Sequence, residues 1–457
     1  MKGYRHRVLD KLLVKKLEAK GAVLIEGPKW CGKTTTAEEI AKSKVMLAKP
    51  DTKENFRRLL EIDSDVALDG ATPMLIDEWQ TIPKLWDAVR YAVDHRRKMG
   101  QFILTGSAVP NKDAEKEREH SGTGRFAWLT MRPMTLFESG ESDGSVALSR
   151  LFEHPDKVLE KNRLTLDDIA FLICRGGWPM AVGLPREAAL EQAFDYYNAV
   201  TKEDITRVDG VKRTSERVER LMRSLARHQG SQAPLSTLRA DLLSNETATL
   251  DEDTISSYID SLKKIFVVED LPAWNPNLRS KTAIRTTDTR YFVDPSIATA
   301  ALGLGPADLM KDLNTTGFLF ETLCIRDLRV FAEALNGKVY HYRDKNGLEC
   351  DAVVHLRDGR YALIEIKLGG PSLIDEGAKT LQQLTQRIDT ARMNEPAFRM
   401  VLTATGQYAY RQFVFIRFCI ADQPTIALPP EVAFVGDVFR THNQQPERTF
   451  SKHSTIY

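Results

Sequence analysis

One short segment constrains this chain more than any other: residues 27–34 read Gly-Pro-Lys-Trp-Cys-Gly-Lys-Thr and fit the pattern G-x-x-x-x-G-K-S/T. The segment follows a short apolar run, AVLIE, and opens a run of helix formers, TTTAEEIAKS. Glycines let the backbone curl until several N–H groups point at one centre, and the positive end of the helix dipole adds to that field. The strand, loop and helix together predict a phosphate-binding loop. The residues expected to contact a nucleotide are Gly27, Pro28, Lys29, Trp30, Cys31, Gly32, Lys33, Thr34 and Thr35.

Two side chains of this loop receive specific roles. Lys33 is expected to bridge the β- and γ-phosphates, and the hydroxyl of Thr34 is expected to be a ligand of Mg²⁺. A nucleoside triphosphate and Mg²⁺ are therefore the predicted ligands of the loop. The alternative is a Gly-Lys turn that fits the pattern by chance, which the strand before it and the helix after it disfavour.

A second apolar run, Pro73-Met-Leu-Ile, ends in two carboxylates, Asp77 and Glu78. Asp77 is predicted to hold Mg²⁺ through its water shell, and Glu78 to orient and deprotonate the attacking water. The alternative is an acidic helix cap, because Thr81-Ile82-Pro83 opens a helix just beyond. Two carboxylates after a buried strand, downstream of a phosphate loop, favour catalysis.

Two further features leave alternatives open. The run FILTGSA carries Thr105 and Ser107, and either hydroxyl could sense the γ-phosphate or position the water, although Ser and Thr also cap helices. Arg125 follows a charged loop. It is interpreted either as an arginine finger that reaches a neighbour's nucleotide, or as an arginine at a strand start paired with a nearby carboxylate.

Composition limits the class of protein. A chain of 457 residues is too long for one core and predicts two or three domains, and a net charge of +1 excludes a global field that attracts nucleic acid or membrane. There is no signal peptide and no run of ~20 apolar residues, so a membrane protein is not expected. Five scattered cysteines without a CxxC pair disfavour structural zinc and disulfides, and a cytoplasmic location is predicted.

The predicted fold class is α/β. Short β-branched apolar runs alternate with helical patterns in the N-terminal region, which indicates a parallel sheet with crossover helices. Helical periodicity dominates the middle, and a second α/β unit follows. The expected organisation is an ATPase domain, a linker, a helical domain, a C-terminal α/β domain and a disordered tail, over residues 1–140, 141–163, 164–304, 305–440 and 441–457.

The middle region has the pattern of a winged helix: three short helical segments, then the extended segments VVEDLPAW and TRYFVD. Residues 207–239 hold eight Lys and Arg against three Asp and Glu, as a DNA-binding face would require. Over residues 201–300 the charges balance, and a solvated helix or an interdomain packing module is the favoured interpretation. The turn Arg175-Gly-Gly-Trp-Pro is interpreted as structural, packing against the ATPase domain.

Three acidic residues and a lysine lie on successive predicted elements of the C-terminal region. Glu321 lies on a long predicted helix, Asp351 on one strand, and Glu365 and Lys367 on the next. Glu365 and Lys367 face the same side because strand side chains alternate. Carboxylates from adjacent strands with a helical carboxylate can hold Mg²⁺, and a lysine can orient water or phosphate. The predicted metal ligands here are Glu321, Asp351 and Glu365, and the alternative is an ordinary Glu–Lys pair on an edge strand.

Two family resemblances follow from these motifs. The spacing of YRHRVLDKLL, GPKWCGKTT, LIDEWQ, FILTGSA and SGTGRF, continued by RGGWP, KEDITRVDG, RYFVDPSI and RDKNGLECD, resembles the prokaryotic AAA-type ATPases that carry a C-terminal domain of unknown function. This resemblance covers most of the chain. It implies an AAA-type nucleotide-binding domain and favours ATP over GTP.

The C-terminal pattern is similar to the PD-(D/E)xK nuclease superfamily. Asp351 takes the aspartate position, Glu365 and Lys367 the (D/E)xK position, and Gln382 or Gln383 stands where some of these nucleases keep a glutamine. Cys350 replaces the proline, and Glu349 could compete as the acidic ligand.

Three hypotheses for function remain open at this point. In the first, an ATP cycle controls a Mg²⁺-dependent nuclease, with DNA or RNA as partner. In the second, the chain is a nucleotide-switched regulatory protein whose nuclease-like domain is a catalytically inactive binding platform. The third is an oligomeric ATPase that acts on protein.

Overall fold

The computed structural model describes residues 3–108, 121–207, 211, 213–243, 251–279, 284–406, 408–412 and 415–422. The tail predicted over residues 441–457 lies outside these ranges. None of the helices within them combines the length and the apolar character needed to cross a bilayer.

A parallel sheet forms the N-terminal region, as predicted. Its strands are β1 (Ala22–Glu26), β2 (Ser43–Met46), β3 (Met74–Asp77), β4 (Phe102–Gly106) and β5 (Phe126–Thr130). They lie in the order β2-β3-β4-β1-β5, and each neighbouring pair is parallel. Because parallel strands end at one edge of a sheet, the segments after β1, β3 and β4 meet there.

Helices cover both faces of this sheet, which explains why its central strands are almost wholly apolar. They are α1 (Val8–Ala19), α2 (Lys33–Glu38), α3 (Pro50–Ile62), α4 (Ser64–Ala67) and α5 (Leu85–Arg96). One apolar core lies under Trp86 and Leu85 of α5, and a second lies under Leu13 of α1. The buried residues of α1 are Leu9, Leu12, Leu13 and Leu17.

The segment predicted as a linker contains regular structure. It holds α7 and β6 and lies between α6 and β7; these elements are α6 (Leu136–Ser139), α7 (Leu148–Glu153), β6 (Leu159–Lys161) and β7 (Leu164–Thr165). Leu151 and Phe152 of α7 are buried in the core described below, which fixes the segment in place.

The middle region is mainly helical. Its helices are α8 (Leu166–Arg175), α9 (Arg186–Ala199), α10 (Ile205–Arg207), α11 (Ser215–Arg227), α12 (Leu235–Leu243), α13 (Glu252–Lys264), α14 (Pro295–Leu302) and α15 (Pro306–Lys311). A π-helical turn, Val200–Asp204, joins α9 to α10. Between α13 and α14, strands β8 (Val268–Leu271) and β9 (Thr289–Phe292) form an antiparallel pair. Three helices followed by a strand pair are what the pattern predicted, and the winged-helix assignment stays a prediction.

The C-terminal region is a mixed sheet with two long helices. Its elements are α16 (Leu313–Ala334), β10 (Gly337–Arg343), β11 (Glu349–Leu356), β12 (Tyr361–Lys367), α17 (Pro371–Arg387), β13 (Phe398–Thr405), β14 (Tyr408–Gln412) and β15 (Phe415–Asp422). The strand order is β10-β11-β12-β13-β15-β14-β6, with β7 beside β15. The predicted linker thus contributes an edge strand to this sheet.

One apolar core runs through the middle and C-terminal regions together. Its fully buried members include Ile173 of α8, Leu221 of α11, Phe320 of α16 and Ile364 of β12. The two regions therefore share a core, whereas the N-terminal sheet has cores of its own.

Candidate functional site

The phosphate loop has the backbone geometry that its glycines make possible. Gly27 and Gly32 have φ values of +153° and +101°, and a Cβ at Gly27 would lie 2.0 Å from the carbonyl oxygen of Met131. A larger residue at position 27 would collide with backbone. Trp30, in the middle of the loop, also has a positive φ, of 65°.

Lys33 is buried inside this loop. Its Nζ atom donates hydrogen bonds to the carbonyl oxygens of Gly27 and Pro28, at 2.9 Å and 2.7 Å. The ammonium group therefore lies at the centre that the loop encloses, where its third N–H can donate to a phosphate.

Asp77 accepts two hydroxyl hydrogen bonds at the same edge of the sheet. Thr34, at the start of α2, donates to Asp77 Oδ1 at 2.7 Å, and Thr105 of β4 donates to the same oxygen at 2.6 Å. The register of β3 and β4 sets Asp77 directly beside Thr105. The Thr34 hydroxyl at the start of α2 and the Asp77 carboxylate at the end of β3 are a suitable donor set for Mg²⁺.

Glu78 follows Asp77 in a left-handed conformation, with φ of 57°. Its Oε2 atom accepts hydrogen bonds from Ser107 Oγ, at 3.2 Å, and from the side-chain amide of Gln80. Glu78 makes no side-chain cap to the short helical turn that follows it, and α5 begins only at Leu85. The carboxylate is thus held by polar side chains at the site. Sequence reasoning considered Ser107 but missed Gln80.

Arg125 lies at the other edge of the sheet. It precedes Phe126, which pairs with Ala22 at the start of β1, whereas the phosphate loop follows the end of β1. Its Nε atom donates to Asp94 Oδ1 at 2.8 Å. Of the two interpretations, the structure contains the paired arginine at a strand start, and the residue does not face its own chain's loop. A role at a neighbour's nucleotide stays a prediction.

The middle region contacts the tip of the phosphate loop. Lys29 Nζ lies 2.5 Å from Asp204 Oδ1 in the π-helical turn, and the Trp30 ring lies 6.0 Å from the ring of Tyr196. Tyr196 in turn stacks on Trp178, at 4.1 Å between centroids. The side chains of Lys29 and Trp30 thus contact the middle region, which leaves their backbone N–H groups available to bind phosphate. Sequence reasoning missed Asp204 and Tyr196.

The segment before α1 also contacts the loop, through Arg7. Its guanidinium donates to the carbonyl oxygen of Cys31 at 2.7 Å and to that of Arg132 at 2.8 Å, and its Nε atom lies 3.1 Å from Glu138. Cys31 is buried, with its thiol directed at the carbonyl of Met131. Arg7 therefore ties the phosphate loop to the strand end beside it.

The Gly-Gly-Trp-Pro turn packs where it was expected to. The Met134 amide donates to the carbonyl oxygen of Gly177 at 2.7 Å, and the Gly177 amide donates to Asp294 at 2.9 Å. The turn thus joins the segment after β5 to the middle region.

A second polar cluster lies in the C-terminal sheet. Lys367 Nζ lies 2.7 Å from Glu365 Oε2 and 3.4 Å from Asp351 Oδ2, and the Ile366 amide donates to Asp351 at 2.7 Å. Burial and the Asp351 carboxylate raise the pKa of Glu365 well above its usual value. The Oε1 atom of Glu365 is buried and has no hydrogen-bond partner among the described residues. A buried carboxylate oxygen without a hydrogen-bond partner is costly.

Glu321 of α16 belongs to the same cluster. It accepts a hydrogen bond of 2.5 Å from the hydroxyl of Tyr291, and burial together with the Asp351 carboxylate raises the pKa of Glu321 to about 8. Glu349 is instead engaged by Arg343, at 2.9 Å, and Gln382 and Gln383 lie on the exposed side of α17. In the part of the chain that the structure describes, no three His, Cys, Asp or Glu side chains are gathered closely enough to hold a metal ion as they stand.

Comparison with known families identifies the N-terminal region. Residues 19–139 match the family model described as AAA domain. This match supports an AAA-type P-loop ATPase. The AAA domain is followed by matches to two domains of unknown function, DUF8612 over residues 166–308 and DUF4143 over residues 316–418.

The chain is also similar to individual proteins. It is 24% identical over 347 residues to uncharacterized proteins of Mycobacterium bovis and Mycobacterium tuberculosis, and this match covers 76% of the chain and 70% of each relative. A solved structure of Thermotoga maritima RuvB is 18% identical, covers 58% of this chain and 89% of its own, and has a TM-score of 0.24. The Aeropyrum pernix ORC1 protein in complex with DNA is 13% identical, covers 66% and 94%, and has a TM-score of 0.22. TM-scores this low do not support a likeness of fold.

Proposed function

We propose that the AAA domain binds ATP with Mg²⁺ and hydrolyses it. The observation that carries this proposal is the shared acceptor Asp77 Oδ1, which receives the hydroxyls of Thr34 and Thr105 at the edge where the phosphate loop lies. Glu78 stands next to this acceptor, and Lys33 lies inside the loop.

Each of these residues has a chemical task. Lys33 and the loop amides bind the β- and γ-phosphates, while Thr34 and Asp77 would hold Mg²⁺. Bound Mg²⁺ would supply charge neutralisation at the phosphate oxygens. Glu78 takes a proton from the attacking water, and Ser107 and Gln80 orient its carboxylate for that transfer.

The test is ATP hydrolysis and ATP binding by the full chain and by Lys33→Ala. Removal of the lysine should weaken ATP binding by about 10- to 100-fold, because a hydrogen bond to a charged group contributes about 1.5–3 kcal/mol. Lys20→Ala is the matched control, since Lys20 bonds to Gly124 at the opposite edge of the sheet. Unchanged hydrolysis in Lys33→Ala would refute the proposal.

We propose as a second function that the C-terminal cluster is a divalent-cation site for cleavage of DNA or RNA. The observation that favours it is Glu365 Oε1, a buried carboxylate oxygen without a partner beside Asp351 and Lys367. Asp351, Glu365 and Glu321 would hold the cation, which would polarise a phosphodiester. Lys367 would orient the attacking water or the phosphate.

Labelled DNA and RNA, incubated with Mg²⁺ or Mn²⁺ and with or without ATP, test this second function. Asp351→Asn and Lys367→Ala should abolish cleavage, and Lys33→Ala should alter its dependence on ATP. Arg360→Ala is the control, because Arg360 pairs with Asp358 in the turn between β11 and β12. If the wild type cleaves neither substrate, the C-terminal region is a binding platform, and polypeptide stimulation of ATP hydrolysis becomes the next measurement.

A further inference from the structure

The antiparallel pair β8–β9 contacts the C-terminal cluster directly and is connected to the phosphate loop through two arginines. Glu269 of β8 and Tyr291 of β9 are direct cross-strand partners. Such partners project from the same face of a strand pair. Tyr291 is only 2% exposed. The strand pair, which the sequence pattern suggests as a wing, is therefore enclosed by the rest of the chain at this point.

Glu269 connects the pair to the AAA domain. Two hydrogen bonds, of 2.9 Å and 2.5 Å, join its carboxylate to the guanidinium of Arg132, just beyond β5. The carbonyl oxygen of Arg132 accepts from Arg7, and Arg7 also donates to the carbonyl of Cys31 in the phosphate loop. Arg7 thus connects the backbone of the phosphate loop to Arg132, the residue that binds Glu269.

Arg329 of α16 contacts the strand pair at both of these residues. Its guanidinium lies 2.7 Å from Glu269 and 5.9 Å from the ring centroid of Tyr291. The Glu269 side chain is 29% exposed and its carboxylate binds two guanidinium groups, so the departure of either one removes a charged hydrogen-bond partner from it. A displacement of Arg132 would therefore be followed by Glu269, and with it by the strand pair.

Tyr291 connects the pair to the C-terminal cluster. Its hydroxyl donates to Glu321 Oε1 at 2.5 Å. A Cβ at Gly230 would lie 2.7 Å from the same oxygen, and Gly230 has a φ of +68°. Glu321 Oε1 is therefore close to both the tyrosine hydroxyl and a glycine backbone of the middle region.

We propose that Tyr291 is a positioning residue for the C-terminal carboxylate site, and that the β8–β9 pair makes this positioning depend on the nucleotide in the AAA domain. The proposal rests on both proposed functions. Nucleotide binding adds phosphate oxygens to the hydrogen-bond partners of Lys33, whose Nζ atom also donates to the carbonyl oxygens of Gly27 and Pro28. The resulting change in the loop reaches Glu321 through Arg7, Arg132, Glu269 and Tyr291. By linkage, occupation of either site changes the affinity of the other by the same factor.

The first measurement is Mn²⁺ affinity of the nucleotide-free full chain, by calorimetry, with Asp351→Asn as the baseline. Tyr291→Phe removes only the hydroxyl and should weaken Mn²⁺ binding by about 10-fold, the lower end of the 10- to 100-fold effect of partners that orient metal ligands. Tyr361→Phe is the matched control, because it removes a phenol that donates to Asn394 at 2.7 Å, away from the cluster. Equal affinity of the wild type and Tyr291→Phe would overturn the positioning role. No Mn²⁺ binding by the wild type would overturn that role together with the second proposed function.

The second measurement is hydrogen exchange with and without a non-hydrolysable Mg·ATP analogue, whose binding is recorded on the same samples. In the wild type, the analogue should change exchange in peptides that contain Tyr291 and Glu321. Glu269→Gln should abolish both changes, and Tyr291→Phe only the change at Glu321. Glu333→Gln, which removes the other carboxylate partner of Arg132, should retain both.

The outcomes separate the two levels of the argument. An analogue that binds without changing exchange outside the AAA domain would overturn the coupling and leave the ATPase proposal intact. An analogue that does not bind would overturn the ATPase proposal and the coupling together.

Discussion

Thr34 donates a hydrogen bond of 2.7 Å to the Oδ1 atom of Asp77. The two residues are 43 positions apart in the chain, and parallel pairing of β1, β4 and β3 brings them to one edge. A hydroxyl and a carboxylate in direct contact can both become ligands of one cation, which then takes the place of the hydrogen bond between them. This contact is the geometric basis of the nucleotide site.

Glu78→Gln should separate ATP binding from hydrolysis. The amide keeps the size of the side chain and can still contact Ser107, but it cannot accept a proton from water. We expect the variant to bind ATP with the affinity of the wild type. Its kcat should fall by about 10²- to 10⁴-fold, the usual contribution of a general base. A kcat within twofold of the wild type would remove Glu78 from the mechanism.

Thr105→Val should weaken both stability and hydrolysis. The substitution keeps the shape of a buried side chain and deletes the 2.6 Å hydrogen bond to Asp77. The loss of a hydrogen bond to a charged group predicts a decrease of about 1.5–3 kcal/mol in the free energy of unfolding, measured with urea. Thr105→Ser, which restores the hydroxyl, should recover kcat. A serine variant as slow as the valine variant would contradict this role.

Trp30 should report nucleotide binding by fluorescence. Trp30 is 49% exposed and its ring lies 6.0 Å from the ring of Tyr196, in the loop whose amides and Lys33 we propose to bind the phosphates. Titration with Mg·ATP should therefore change the emission, and Trp30→Phe should remove most of the change. Trp128, which is 46% exposed on β5, provides the control Trp128→Phe, in which the change should persist.

Glu269 should make the protein sensitive to acid. Burial opposes ionisation of this carboxyl, but Arg132 and Arg329 outweigh it and lower its pKa to about 2. An unfolded glutamate has a pKa of about 4.3, so the contribution to stability is present above that pH and is lost as the pH falls toward 2. In urea titrations from pH 6 to pH 2, Glu269→Gln should show a smaller loss of unfolding free energy than the wild type. Parallel profiles would contradict the assignment.

The residues that the sequence proposes for the nucleotide site meet at one edge of the sheet, because the signals that mark them are local. The loop, Asp77, Glu78 and Thr105 each directly follow or end a short apolar strand, and one parallel sheet brings all such ends to the same edge. Arg7, Asp204 and Gln80 were not found, because no local spacing marks a residue whose role depends on contact with another element. The AAA-type sheet is confirmed, while the individual site roles stay predictions.

The middle region marks the limit of pattern reading. Three helices and two strands are visible in the sequence, but hydrophobic periodicity does not reveal which partner covers a strand pair. Glu269 and Tyr291 read as an ordinary acidic residue and an ordinary strand aromatic. Their contacts with Arg132 and Glu321 depend on segments more than about 100 residues away on one side and about 30 on the other.

The edge strand β6 also has a consequence for biosynthesis. Leu159 and its neighbours pair with Tyr408–Gln412, so a strand that leaves the ribosome early finds its place only after about 250 further residues have been made. Until then, its hydrogen-bonding groups have no strand beside them. We expect the C-terminal sheet to assemble after translation. In that assembly β14 pairs with β6, a strand that was synthesised before most of the middle region, so an early segment of the chain is among the last to fold.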